Sequence, residues 1–248
     1  MRYEIMFPDQ LRQAIDKNIP AVMAIGVIEY HSEHCCIGVD TLVVTRALDV
    51  LEKEMEIVIL PPFVYGTASY AVSSPERKGT ISVNSHTVYL FAKDLFLNLL
   101  RVGLRNIHLF IHHQSESFTA GMPTDLALKL ASKESIFEFL EKQRGEGWWG
   151  SEKMRDYYKQ HEKGSDPFSW IQIHPFMDEQ TQKQFPIDHA GKQETSLMMA
   201  FCPEGLDMKR HTKEHWFAES AKDANMDYAN DAKKMILNKI KRILYNNE

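Results

Sequence analysis

The stretch VIEYHSEHCCIGVD, from Val27 to Asp40, sets Glu29, His31, Glu33, His34, Cys35, Cys36 and Asp40 in one short segment. Carboxylate oxygens and imidazole nitrogens are the donors of a reactive divalent metal site, at roughly 2.0–2.2 Å for zinc. Glu29, His31 and Asp40 are the candidate ligands. They follow the apolar run PAVMAIG, which reads as a buried strand. Side chains two apart on a strand share a face, so Glu29 and His31 are expected to point together. Asp40 opens the next helix, either as a ligand or as that helix's N-cap. Cys35 and Cys36 are soft donors, but adjacent side chains diverge and no second cysteine pair exists, so packing is their expected role.

A second set of donors sits in FIHHQSESF. Strand alternation puts His113 with Leu109 and Ile111, and His112 with Phe110. One of the two should enter a shared site: His113 is the expected ligand, His112 a structural or supporting residue. The third set is DHAGKQETS. His189, followed by the small Ala190 and Gly191, suits a tight turn from which an imidazole can donate a proton. Glu194 begins a helix, as a site residue or as a first-turn acid favoured by the helix dipole.

These clusters need elements to hold them, and apolar runs of strand length alternate along the chain with segments of helical period. That pattern builds an α/β fold with a mostly parallel central sheet flanked by helices. AVMAIGVI, EIVILPPF, NIHLFIHH and WIQIHPF read as strands. TLVVTRALDVLEKEM, Thr87 to Val102, PTDLALKLASKESIFEFLEKQ, the segment after HAGKQETS, and a tail from about Ala221 to Tyr245 read as helices. Ligand sites in such sheets lie outside the carboxyl ends of the strands, where two of these strands carry Glu29, His31, His112 and His113.

The chain has 248 residues, 44% of them hydrophobic, which suits a single domain over 1–248. A net charge of −5 with no basic block argues against a nucleic-acid partner. No apolar run approaches the roughly eighteen residues of a membrane span, and MRYEIMFPDQ lacks the pattern of a signal peptide. With three cysteines and no disulfide framework, a cytoplasmic location is expected.

Taken together and in order, the three clusters resemble the creatininase (creatinine amidohydrolase) family. That family's E-x-H-G-x-H-L-P-x-x-x-D motif stands here as EYHSEHCCIGVD, its P-P-x-x-Y-G as PPFVYG, its G-T-I as GTISV and its H-A-G-x-x-E-T-S as HAGKQETS, spanning Ile25 to Pro203. The resemblance implies a three-layer sandwich, a hexameric homo-oligomer, and one or two divalent ions per chain, zinc, manganese or iron. It implies that Glu29, Asp40 and His113 hold one ion and His31 and Asp40 the other, with Asp40 bridging. His189 falls where the family has a catalytic, substrate-facing histidine, and Glu194 matches a glutamate that supports the site or binds metal.

The chain also departs from the pattern. Ser115 stands where the family has the second ion's last carboxylate, and Glu116 is one residue later. The missing ligand is then Glu116 through a shifted loop, or Glu194, or the site holds one tight and one loose ion. Trp148, Trp149 and Trp170 fall in the region of the family's substrate-facing tryptophans, and are expected to line the pocket unless they serve the core or a subunit interface. The implied activity is hydrolysis of a small cyclic substrate by metal-activated water attacking a carbonyl, most nearly an amidohydrolase of the creatininase type. FIHHQSE, GMPTDLA and GWWG also resemble a branch that cleaves a carbon–carbon bond of a cyclic diketone in inositol breakdown. A non-catalytic, metal-stabilised oligomeric binder is the third reading. The G-x-S-x-G and G-x-G-x-x-G motifs of serine hydrolases and dinucleotide binders are absent.

Overall fold

Alternation along one buried strand, β1 (Ala21–Ile25), organises the whole molecule. Val22 and Ala24 face one core, and Ala21, Met23 and Ile25 face the other. The computed structural model describes residues 1–162 and 166–245. Along the chain, α1 (Pro8–Asp16) precedes β1, and α2 (Val39–Leu51), β2 (Val58–Ile59), α3 (Ser85–Val102), β3 (Ile107–Ile111), α4 (Pro123–Arg144) and α5 (Tyr157–Glu162) follow it. The remainder is β4 (Ile171–Pro175), α6 (Glu179–Gln184), α7 (Lys192–Phe201) and α8 (Met226–Tyr245).

The sheet is parallel throughout, in the order β2-β1-β3-β4. Ile25 lies opposite Ile111, and Ile111 opposite Pro175, so three strands end at one edge. Helices α2, α7 and α8 cover one face through Val43, Leu48, Leu197 and Ile236. Helices α3 and α4 cover the other through Val88, Phe96, Leu128 and Ile136. The expected α/β sheet flanked by helices is thus present, with both faces buried as parallel sheets require.

Local chemistry sets the helix ends. The Asn84 side chain caps α3 by accepting from His86 N–H at 2.8 Å, and Gly103 closes it at φ +117°. Pro123 sits in the first turn of α4, where Asp125 accepts from Met122 N–H at 3.0 Å.

Two differences from the sequence expectations bear on the site. AVMAIGVI is not one strand: β1 ends at Ile25, and the Gly26 N–H that follows bonds the Phe63 carbonyl at 2.9 Å on the β2 side. Glu29 and His31 therefore lie on the loop beyond β1, and strand alternation is not what turns them. EIVILPPF contributes only two residues of strand, and α8 begins at Met226, after a 3-10 turn over Trp216–Asp223. Among the described residues no helix is long and apolar enough to cross a membrane.

Candidate metal centre

Asp40 reaches the carboxyl edge of the sheet because α2 starts hard against β1. A Cβ on Gly26 would fall 2.0 Å from Oγ1 and 2.7 Å from Cα of Thr41, a contact only glycine permits. Asp40 is the second residue of α2; the cap position belongs to Gly38. Its side chain is 2% exposed and turns inward, so capping is not its role.

The loop from Gly26 to Asp40 is shaped to present donors. Thr80 Oγ1, in the GTISV segment, accepts from Tyr30 N–H at 3.0 Å. Ser32, at φ +60°, reverses the chain just after His31. The Glu29 carbonyl can only accept, so the 3.0 Å contact from His31 Nδ1 fixes a proton there and makes Nε2 the nitrogen that would ligate once deprotonated. That Nε2 stands 3.4 Å from Glu194 Oε2 and 3.7 Å from Asp40 Oδ2. Across the site, His113 Nδ1 lies 3.2 Å from Glu29 Oε2 and 3.6 Å from Asp40 Oδ2.

The outcome is two three-residue clusters that share a member: Glu29, Asp40 and His113, and His31, Asp40 and Glu194. In each, the ligand atoms lie within 4.8 Å of one another and all six placements are buried. The donor separations match a metal site. A tetrahedral zinc with bonds of roughly 2.0–2.1 Å has donor–donor edges of about 3.3 Å. Asp40 Oδ2 is buried without a hydrogen-bond partner, although two imidazole nitrogens flank it. A shared cation on each side would satisfy it.

Electrostatics say the same of these donors. Burial alone would depress the His31 pKa, but the charges of Glu194 and Asp40 outweigh it and raise it to about 10. His113 behaves alike: burial lowers it, Asp40 and Glu29 raise it, and it reaches about 10. Burial pushes Asp40 and Glu194 upward, yet His31, with His113 beside Asp40 and His112 beside Glu194, holds both below the ordinary carboxylate range. Such a site keeps protons on its imidazoles until a cation replaces them.

Helix α7 delivers Glu194 and His189 from one turn. Asp188 Oδ2 and Oδ1 accept from Gln193 N–H (2.7 Å) and Glu194 N–H (3.2 Å), satisfying the helix start. Burial and the nearby Glu194 raise the Asp188 pKa to about 6. Ala190 adopts φ +51°, and the turn stacks the His189 ring on that of His31 at 4.5 Å. His189 Nε2–H donates to the Tyr30 carbonyl at 2.9 Å. Its ligand atom also groups with those of Glu29 and His31.

The structure thus brings Glu29, His31, Asp40, His113, His189 and Glu194 together, and four expected site residues lie elsewhere. Glu116 is exposed on the loop after β3 and joins neither cluster. That loop turns through Ser115 Oγ, which donates to the Ser117 carbonyl at 2.8 Å. Trp170 immediately precedes β4, where its carbonyl accepts from Ile107 N–H at 2.9 Å. It stacks under Arg105 at the amino edge of the sheet, a strand's length, about 16 Å, from the cluster. Trp148 and Trp149 line a hollow with Phe137, Glu141 and Phe168 beside the start of β4. Within one chain Trp148 is 9% exposed and held under Arg144, while Trp149 is exposed.

Several residues that hold the site were given no role by the sequence. His34 Nε2 shares a hydrogen bond with Thr195 Oγ1 at 3.0 Å, tying the first loop to α7, and burial with the neighbouring His211 lowers its pKa to about 4. Phe217 packs edge-on to His189 at 5.2 Å and lies flat on His215 at 4.9 Å. No short motif marks Phe217. Asp188, directly before His189, was open to reading as a cap.

A family model for creatininase, described as creatinine amidohydrolase, matches residues 6–236. Creatinine amidohydrolase of Pseudomonas putida is 28% identical over 193 residues, which cover 76% of this chain and 66% of that relative. The chain thus matches just under two thirds of the relative's length. Among solved structures, a mutant creatininase complexed with creatine superposes with a TM-score of 0.70 at 18% identity, covering 98% of this chain and 96% of that one. The structure named creatininase Mn gives 0.69 at 18% identity, over 96% and 95%. At these identities the likeness is one of fold.

Proposed function

Because the chain belongs to the creatininase family, we propose that it is a metal-dependent hydrolase acting on the carbonyl of a small cyclic amide. The observation that carries this is the pair of buried clusters sharing Asp40, spaced as donors are around divalent ions. Glu29, Asp40 and His113 would hold one ion, and His31, Asp40 and Glu194 the other. The mixed nitrogen and oxygen donors suit zinc, manganese or iron. Bound there, such ions would polarise a carbonyl and bring the pKa of a water toward about 7.

The chain's own residues supply the rest. His189 is catalytic in this reading: with Nε2–H committed to the Tyr30 carbonyl, its Nδ1 carries the lone pair that takes a proton from the attacking water. It returns that proton to the leaving nitrogen as the tetrahedral intermediate collapses. Phe217 and His215, flat against each other beside His189, suit the wall of a pocket for a planar ring. The exposed apolar side chains Leu90, Phe91, Leu126, Leu130 and Phe137 on α3 and α4 are read as subunit contacts of a homo-oligomer, which light scattering would test.

The test of function is metal-free protein reconstituted with manganese, zinc or iron and offered lactams, cyclic amides and cyclic diketones. Ring opening of amides supports the proposal. Turnover of diketones alone reassigns the cleaved bond to carbon–carbon, and failure to retain any divalent ion removes the hydrolase reading.

A further inference from the structure

His112 belongs to neither cluster, yet it is 5% exposed and neither ring nitrogen has a hydrogen-bond partner. A buried imidazole left so costs free energy unless its N–H finds an acceptor. Its Nε2 stands 3.4 Å from Oε1 of Glu194. The ring is set edge-on against Phe176, with centroids 5.6 Å apart. Gln114 steadies the segment, donating to the Met177 carbonyl at 2.8 Å and accepting from Met177 N–H at 2.9 Å, so that the exits of β3 and β4 are joined.

The other oxygen of Glu194 faces the centre. Oε2 accepts from Ala190 N–H at 2.6 Å and stands 3.4 Å from His31 Nε2. The two oxygens of this carboxylate therefore have different neighbours, one toward the ligand set and one toward His112.

We propose that His112 is a positioning residue for the second ion. Its Nε2–H, 3.4 Å from Oε1 of Glu194, closes onto that oxygen when the ion is bound and so presents Oε2 as the third ligand beside His31 and Asp40. This rests on the two-ion reading above. Glu194 is among the atoms that converge within 4.8 Å and His112 is not, so His112 acts through the carboxylate and does not ligate. Supporting residues of this kind typically set metal affinity by roughly 10–100-fold.

The test is metal content and calorimetric titration with Mn²⁺ or Zn²⁺, backed by the visible spectrum of the Co²⁺-substituted protein. Wild type should take two ions per chain. His112→Ala should keep one at wild-type affinity and bind the other roughly 10–100-fold more weakly, with loss of one site's share of the cobalt spectrum. His112→Gln, whose amide reaches about as far as Nε2, should keep both, and the shorter His112→Asn should not. The Gln and Asn pair decides the matter even if the alanine variant fails to fold. Two ions at unchanged affinity in the Ala or Asn variants, or equal losses with Gln and Asn, would overturn the role of His112. Fewer than two ions in wild type would instead overturn the centre itself.

Discussion

Oδ2 of Asp40 and Nε2 of His31 face each other at 3.7 Å, both sealed from solvent, and no hydrogen bond to Asp40 Oδ2 fills the gap. Since Asp40 belongs to both clusters, its loss should empty both. Asp40→Ala should leave less than one ion per chain by metal analysis, a larger effect than the roughly 10–100-fold of a supporting residue. Retention of two ions would contradict the bridging arrangement.

Metal uptake should release protons. With His31 and His113 raised to about 10, both are protonated in the metal-free chain near pH 7 and neutral once ligating. Calorimetry in buffers of differing ionisation enthalpy should report about two protons released per chain, and affinity should climb between pH 7 and 10. A buffer-independent heat would exclude this.

The same shifts govern the metal-free fold. Relative to an unfolded histidine near pH 6.5, a raised folded value adds stability that is whole below about 6.5 and fades as pH rises through about 10. Thermal unfolding of metal-free protein should therefore fall in Tm from pH 7 to 10, while loaded protein should not share that loss. A flat metal-free profile would show that the imidazoles do not sense these carboxylates.

His189→Ala should keep both ions and lose roughly 10²–10⁴ in kcat, the range of a removed proton-transfer group. Turnover within a factor of two of wild type would strip His189 of its assigned part.

Gly26→Ala should destabilise the protein by about 1–3 kcal/mol or more, because the new methyl meets the Thr41 backbone. It should also weaken metal binding, since the displaced turn carries Asp40. Denaturant titration and metal analysis together measure the two effects, and a silent substitution would mean that this contact does not place the carboxylate.

How much of this was legible in the sequence varies with the range of the forces involved. The buried strands around Met23 and Leu109 announce themselves, because burial on both faces leaves runs that are apolar throughout or, in the second, broken only by His108. The turn at Ala190 is readable from its small residues. Glu29 and His31 were found by donor type for a reason that proved local and mistaken: the strand stops at Ile25, and a bond from His31 Nδ1 to the Glu29 carbonyl aims the ring. The choice between Glu116 and Glu194 was beyond sequence reach, since it turns on how α7 docks on the rest of the fold, through contacts such as His34 to Thr195 that join residues 161 positions apart. The place of Trp170 was out of reach for a similar reason: composition says that an aromatic is present, not at which edge of a sheet it falls.

The shared Asp40 also imposes an order on synthesis. One cluster is encoded wholly by the first 113 residues, whereas the other stays incomplete until residue 194 has left the ribosome. Every donor of the first cluster is therefore synthesised well before α7, and the carboxylate of Glu194 is the last to reach the centre.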